Sequence, residues 1–227
     1  MHVRGSASWR FEMGSSDLLH HALFIRDAAA LPLQHEDDIP PPLTGLRAVR
    51  AVTMPTMPTV DSMAASAQWA TWWRRLTNSE ADESEQARHW NGEDPQSHAD
   101  EALERSEELF DPPGFASLAV MPELRSLARR IHQDAIDWFS QVQAAEMAQS
   151  GDSALFPWEF VRAAAEHVAA DRGVPLGAIS GVVQLLHVGE VWSYTIRPGY
   201  ALCSVTLPAS PARAWTLLEE VFASALG

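Results

Sequence analysis

Residues 179–207 read ISGVVQLLHVGEVWSYTIRPGYALCSVTL, and this stretch decides the fold. It holds three runs rich in apolar and β-branched residues, 179–188, 191–197 and 200–207, and each reads as a strand. Gly189-Glu190 separates the first two. Arg197-Pro198-Gly199-Tyr200 has proline at the second turn position and glycine at the third, the residue choice of a type II turn. Connections this short predict an antiparallel three-strand meander. Helical patterns flank it. Before it, a helix starts near Pro157, buries Phe160, Val161, Ala164 and Val168, and stops at Gly173. After it, Ser210 is placed to cap a helix that Pro211 opens, with Trp215, Leu217, Leu218, Val221 and Phe222 on a wide apolar face.

Working outward to the N-terminus, Val3, Ala7, Trp9, Phe11 and Met13 alternate with polar residues, which predicts a half-buried strand. Gly14-Ser15-Ser16-Asp17 is a turn cluster, and the apolar run Leu18–Arg26 after it reads as the second arm of a hairpin; a helix beginning at Ser16 is the alternative. The expected fold class is therefore α+β, an antiparallel sheet made of the N-terminal hairpin and the C-terminal meander, packed by several helices. No strand–helix–strand alternation is visible, so a parallel nucleotide-binding sheet is not expected, and no Walker loop, GxGxxG after a strand or GxSxG occurs.

The 227 residues are expected to form a single α+β domain with two excursions. Residues 31–59 carry Pro32, Pro40, Pro41, Pro42, Pro55 and Pro58 and read as an extended arm across the surface. Asp61 then caps a helix to about Thr77, with Trp69, Trp72, Trp73 and Leu76 on one face. Residues 79–111 are the second excursion, with twelve acidic residues against two arginines, most of the chain's net charge of −14. Ser79–Gln96, with Gly92 and Pro95, reads as a flexible loop, and Ser97–Phe110 as a capped helix that Asp111-Pro112-Pro113-Gly114 ends. A long helix follows from Pro122 to about Ala148, burying Leu124, Leu127, Ile131, Ala135, Trp138 and Val142.

Charge and composition narrow the function classes. The acidic stretch repels duplex DNA, and the sixteen arginines are scattered, so nucleic acid is not an expected partner. The absence of lysine points to a high-GC, bacterial coding bias. One cysteine, Cys203, suits a reducing compartment, no secretory signal is visible in residues 1–30, and no run approaches the roughly 20 apolar residues of a membrane span, so a cytoplasmic location is expected.

Candidate chemistry is sparse. His20, His21, His35, Glu36, Asp37 and Asp38 are metal-ligand types without a ligand spacing, and on a strand His20 and His21 would face opposite sides. His132 and Asp134, two apart on a helix, make a poor dyad. Cys203 has no local feature that would lower its pKa. No catalytic residue, cofactor or metal is assigned. The sequence reads as a non-enzymatic protein-interaction module, such as an adaptor, chaperone-like subunit or immunity-type binder. It would use Asp100, Glu101, Glu104, Glu107 and Glu108 as an acidic surface for a basic protein partner, without nucleic acid or membrane. Two alternatives stand beside it: an enzyme or small-ligand binder whose pocket gathers His132, His187, Tyr194 and Arg197, and a structural subunit whose Pro-rich arm lies over a neighbour.

Overall fold

A computed structural model describes residues 9–33, 36–44, 60–89, 109–149 and 156–227. Its elements are β1 (Arg10–Gly14), α1 (Asp17–Ala28), α2 (Ser62–His89), α3 (Pro122–Gln149), α4 (Trp158–Arg172), β2 (Ser180–Leu186), β3 (Ser193–Arg197), β4 (Tyr200–Ser204) and α5 (Pro211–Ser224). The chain is α+β. It divides into two compact units, one of Met1–Ser15 with Gln149–Gly227, the other of Ser16–Ala148.

In the first unit the four strands form one sheet in the order β1-β2-β4-β3. β1 and β4 both pair parallel with β2, and only β3 pairs antiparallel, with β4. The sheet is thus mostly parallel, which corrects the antiparallel expectation in two places. The C-terminal strands run in the directions of a meander, but β4 lies between β2 and β3 instead of outside them. The reason is burial. β4 reads YALCS and is buried at every position, as a central strand must be. β3 reads SYTIR, is exposed or half-buried throughout, and takes the edge. The turn between β3 and β4 has the expected form, with Gly199 at φ 76°.

The second correction is the N-terminal hairpin. β1 pairs with β2 across 165 residues of sequence, Arg10 with Ser180 through Gly14 with Gln184. The run read as its partner is α1, the alternative reading of that segment. Ser16 caps this helix, its Oγ accepting from the Leu19 N–H at 3.2 Å. Leu19 through Arg26 are all buried, so the segment shows no amphipathic stripe and its apolar run resembles a strand.

α4 and α5 cover one face of the sheet. Val161, Ala164, Ala165 and Val168 of α4 and Leu217, Leu218, Val221 and Phe222 of α5 form one core with Val183, Leu185, Ala201 and Cys203. α4 stops at Gly173, which takes the left-handed conformation at φ 63°. Ser210 precedes α5 without a side-chain capping bond; its carbonyl accepts from Ala214 at 2.9 Å. Gly181 lies in β2 beneath α5. A Cβ there would stand 2.6 Å from Val221 Cγ1 and 3.1 Å from the Phe222 ring. Gly181→Ala is expected to destabilise the protein by about 1–3 kcal/mol through overpacking, read as a lower urea midpoint.

In the second unit α2 begins at Asp61, whose Oδ1 accepts from the N–H groups of Met63 and Ala64. Trp69, Trp72, Trp73 and Leu76 are fully buried, as their spacing requires. Each indole N–H reaches a carbonyl: Trp69 that of Ala22, Trp72 that of Leu109, and Trp73 that of Asp38. The helix does not end near Thr77 but runs to His89, through the first part of the stretch expected to be a flexible loop. Ala81, buried four residues after Thr77, continues the inner stripe, and Glu80 accepts from the Ser16 hydroxyl. Residues 82–89 add helix-forming Glu, Gln and Ala. α3 has the expected extent, with Leu124, Leu127, Ile131, Ala135 and Trp138 buried. Residues 36–44 of the Pro-rich arm fold back on the same unit: Arg26 donates to the carbonyls of Pro40 and Pro41, and Arg74 pairs with Asp38 and Glu36. No described helix is long and apolar enough to cross a membrane.

Candidate functional site

β3 forms one edge of the sheet among the described residues. The Ser204 N–H donates to the Trp192 carbonyl at 2.9 Å, which fixes the phase of the β3–β4 ladder. In an antiparallel pair every second residue exchanges hydrogen bonds with its partner. Trp192 and Tyr194 therefore direct their backbone groups at Ser204 and Leu202, while Ser193 and Thr195 direct theirs away from β4. A register shift between Thr195 and Arg197 ends the regular edge. The opposite edge, β1, differs: Arg10 and Glu12 form an ion pair along it, the kind of charge that blunts an edge.

Beside β3 lies a groove of about 390 Å³, walled by Val191–Ser193 on one side and by Ala212–Glu220 of α5 on the other, with Leu207 at its base. Its floor is apolar, from Leu207 and Leu217, both buried. A charge stands at each end. Arg213 donates through Nη1 to the Val191 carbonyl at 3.4 Å, and Glu220 accepts from Thr195 Oγ1 at 2.8 Å. Both charged side chains belong to exposed residues. They are seven residues apart, about two helical turns, which puts both on the face of α5 turned toward β3. The Trp192 and Tyr194 rings stack, with centroids 6.5 Å apart. The groove therefore joins backbone donors and acceptors, an apolar floor and two opposite charges in one line, which suits an extended peptide.

The second unit contains a histidine pair, with His21 buried and His132 half-buried. His21 of α1 and His132 of α3 meet with Nε2 and Nδ1 3.1 Å apart, and Phe110 and Phe115 pack edgewise or tilted against them. His21 Nε2 also lies 3.3 Å from the His132 carbonyl, which can only accept, so the proton sits on His21 Nε2 and points at His132. Burial, reinforced by the neighbouring His132, pushes the His21 pKa down to about 4, and burial lowers that of His132. Both rings are neutral at pH 7. His20, on the next position of α1, donates through Nδ1 to the Ser16 carbonyl at 2.7 Å and stacks on Phe139.

The residues singled out in the sequence fall as follows. Asp100, Glu101, Glu104, Glu107 and Glu108 lie outside the described residues. His132 belongs to the second unit, and His187, Tyr194 and Arg197 to the first. His187 follows the end of β2, next to Leu186 and thus to Ser204, whereas Arg197 pairs with Tyr200 at the opposite end of β4. Those two do not converge on one pocket. Cys203 is buried, and desolvation pushes its thiol up to about 12. Among the described residues no three His, Cys, Asp or Glu side chains come together as metal ligands. Sequence reading missed Ser193, Thr195, Arg213 and Glu220. Their signal was the polar alternation in SYTIR and the two-turn spacing on α5. The chain matches no protein-family model, no curated protein and no solved structure.

Proposed function

We propose that this chain is a protein-interaction module that holds an extended segment of a partner protein along the outer edge of β3. The observation that carries the reading is the outward aim of the Ser193 and Thr195 backbone groups beside the groove of α5. Strand addition supplies affinity through main-chain hydrogen bonds and specificity through alternate side chains, and the edge with its groove offers both. The acidic stretch of residues 79–111 acts at longer range, raising the encounter rate with a basic partner at low salt. A lone cysteine that is buried and held as a thiol suits a reducing compartment, and we place the module in the cytoplasm.

Selection of random peptides displayed on phage against the full chain, followed by titration of the selected peptides, tests this reading. Ser193→Pro and Thr195→Pro each remove an N–H that points away from β4, so the ladder to β4 survives while one bond to an added strand is lost and the edge is blunted. Each variant is expected to weaken selected peptides at least about tenfold with little change in unfolding midpoint. Selected peptides that bind both proline variants as tightly as the parent would sink the proposal, as would failure to select any peptide.

A further inference from the structure

We infer that the segment accepted by the β3 edge runs antiparallel to β3 and carries a basic, an apolar and an acidic side chain, in that order, at alternate positions. The inference rests on the proposed strand-accepting edge and names the chemistry of its partner. Arg213 touches Val191 and Glu220 touches Thr195, so the positive end of the groove lies at the start of β3 and the negative end four residues along it. Four residues of strand span about 13 Å. The two charges are seven helical residues apart, about 10 Å of rise. In an added strand, alternate side chains face the groove, and three successive ones also cover about 13 Å. The outer two therefore meet Arg213 and Glu220, with long side chains absorbing the difference. The middle one rests over Leu207 and Leu217.

Charge order then follows from strand direction. An antiparallel segment enters at Glu220 and leaves at Arg213, which places its basic residue first and its acidic residue last. A parallel segment would require the reverse order. Antiparallel pairing is the more stable per residue, and β3 already pairs antiparallel with β4 on its inner side.

Three seven-residue peptides decide the matter, each with threonine at the positions turned away from the groove. One carries lysine, leucine and glutamate at the facing positions; the second carries glutamate, leucine and lysine; the third replaces the leucine of the first by threonine. Titration against the full chain is expected to give the first peptide an affinity about tenfold above each of the others. In the double variant Arg213→Glu with Glu220→Lys the preference between the first two is expected to invert. Both side chains are exposed, so the fold tolerates the exchange, and the unfolding midpoint checks this. Tighter binding of the second peptide to the parent chain overturns the antiparallel assignment. Equal binding of all three that is still weakened by Thr195→Pro overturns the charge order and leaves the strand-accepting edge standing. Absence of binding by any of the three, when phage-selected peptides do bind in a Thr195→Pro-sensitive way, overturns the pattern alone; absence of both overturns the edge as well.

Discussion

Arg26→Ala is expected to cost about 3–5 kcal/mol of stability, the range for stripping one partner from a buried charge network. The Arg26 side chain is only about 5% exposed and sits in the second unit under the Pro-rich arm. Its Nε and Nη2 fork onto the Asp27 carboxylate at 2.6 and 2.9 Å. Nη2 also donates to the Pro41 carbonyl at 2.8 Å, and Nη1 donates to that of Pro40. The guanidinium carbon stands 5.4 Å from the centre of the Trp69 ring. Alanine would leave the Asp27 carboxylate without its cation. It would also leave two proline carbonyls without a donor, in a segment whose prolines cannot form a compensating helix or ladder. Leu43, whose N–H reaches Asp27 Oδ2 at 2.7 Å, would lose a well-placed acceptor too. Lysine keeps the charge but presents a point ammonium where a planar fork binds four acceptors, so Arg26→Lys is expected to recover less than half of the loss. Equilibrium urea unfolding of the three proteins at pH 7 checks both expectations.

The buried His21, paired with His132, predicts a specific acid sensitivity. His21 has an ordinary pKa of 6.5 when unfolded and about 4 when folded. The unfolded chain therefore binds the proton first as pH falls. The stability due to a neutral His21 is complete above pH 6.5, declines as pH drops below that, and is fully lost near pH 4. The difference between the two pKa values corresponds to about 3 kcal/mol over the whole window, of which about 2 kcal/mol falls between pH 7 and pH 5. His132, lowered by burial as well, adds in the same direction. His21→Phe removes the titrating group and keeps a ring among Phe110, Phe115 and His132. Its stability is expected to vary between pH 7 and pH 5 by about 2 kcal/mol less than that of the parent. Equal pH dependence in the two proteins would show that the pair does not titrate as its burial demands.

Much of the helical content was legible because helix signals are local. Asp61, Pro122, Gly173 and Pro211 mark helix ends by backbone chemistry that depends on few neighbours, and each lies where its helix starts or stops. The tryptophan stripe of α2 was legible for the same reason. Pairing order was not, because it depends on which strand needs cover on both faces. The clue lay in the three consecutive apolar residues Ala201, Leu202 and Cys203 against the alternation of Ser193 to Arg197, and in six residues between β2 and β3 where a tight hairpin needs two. α1 was misread because complete burial erases periodicity, and the end of α2 because acidic charge looked like disorder while Ala81 continued the inner stripe. At the candidate site, the charges at its ends come from a helix and its backbone groups from a strand with a turn, a second strand and most of a core between them. Only the β3–β4 phase reveals that Ser193 and Thr195 face outward, and no side chain announces it.

Backbone amide exchange, followed by NMR on the full chain with and without the lysine–leucine–glutamate peptide, tests the outward-facing edge most directly. In the free protein the account predicts slow exchange at Tyr194, whose N–H faces β4, and fast exchange at Ser193 and Thr195 on either side of it. Addition of the peptide is predicted to slow Ser193 and Thr195 at least about tenfold and to leave Tyr194 nearly unchanged. Equal protection of all three amides in the free protein, or exchange at Ser193 and Thr195 that saturating peptide does not slow, would contradict it.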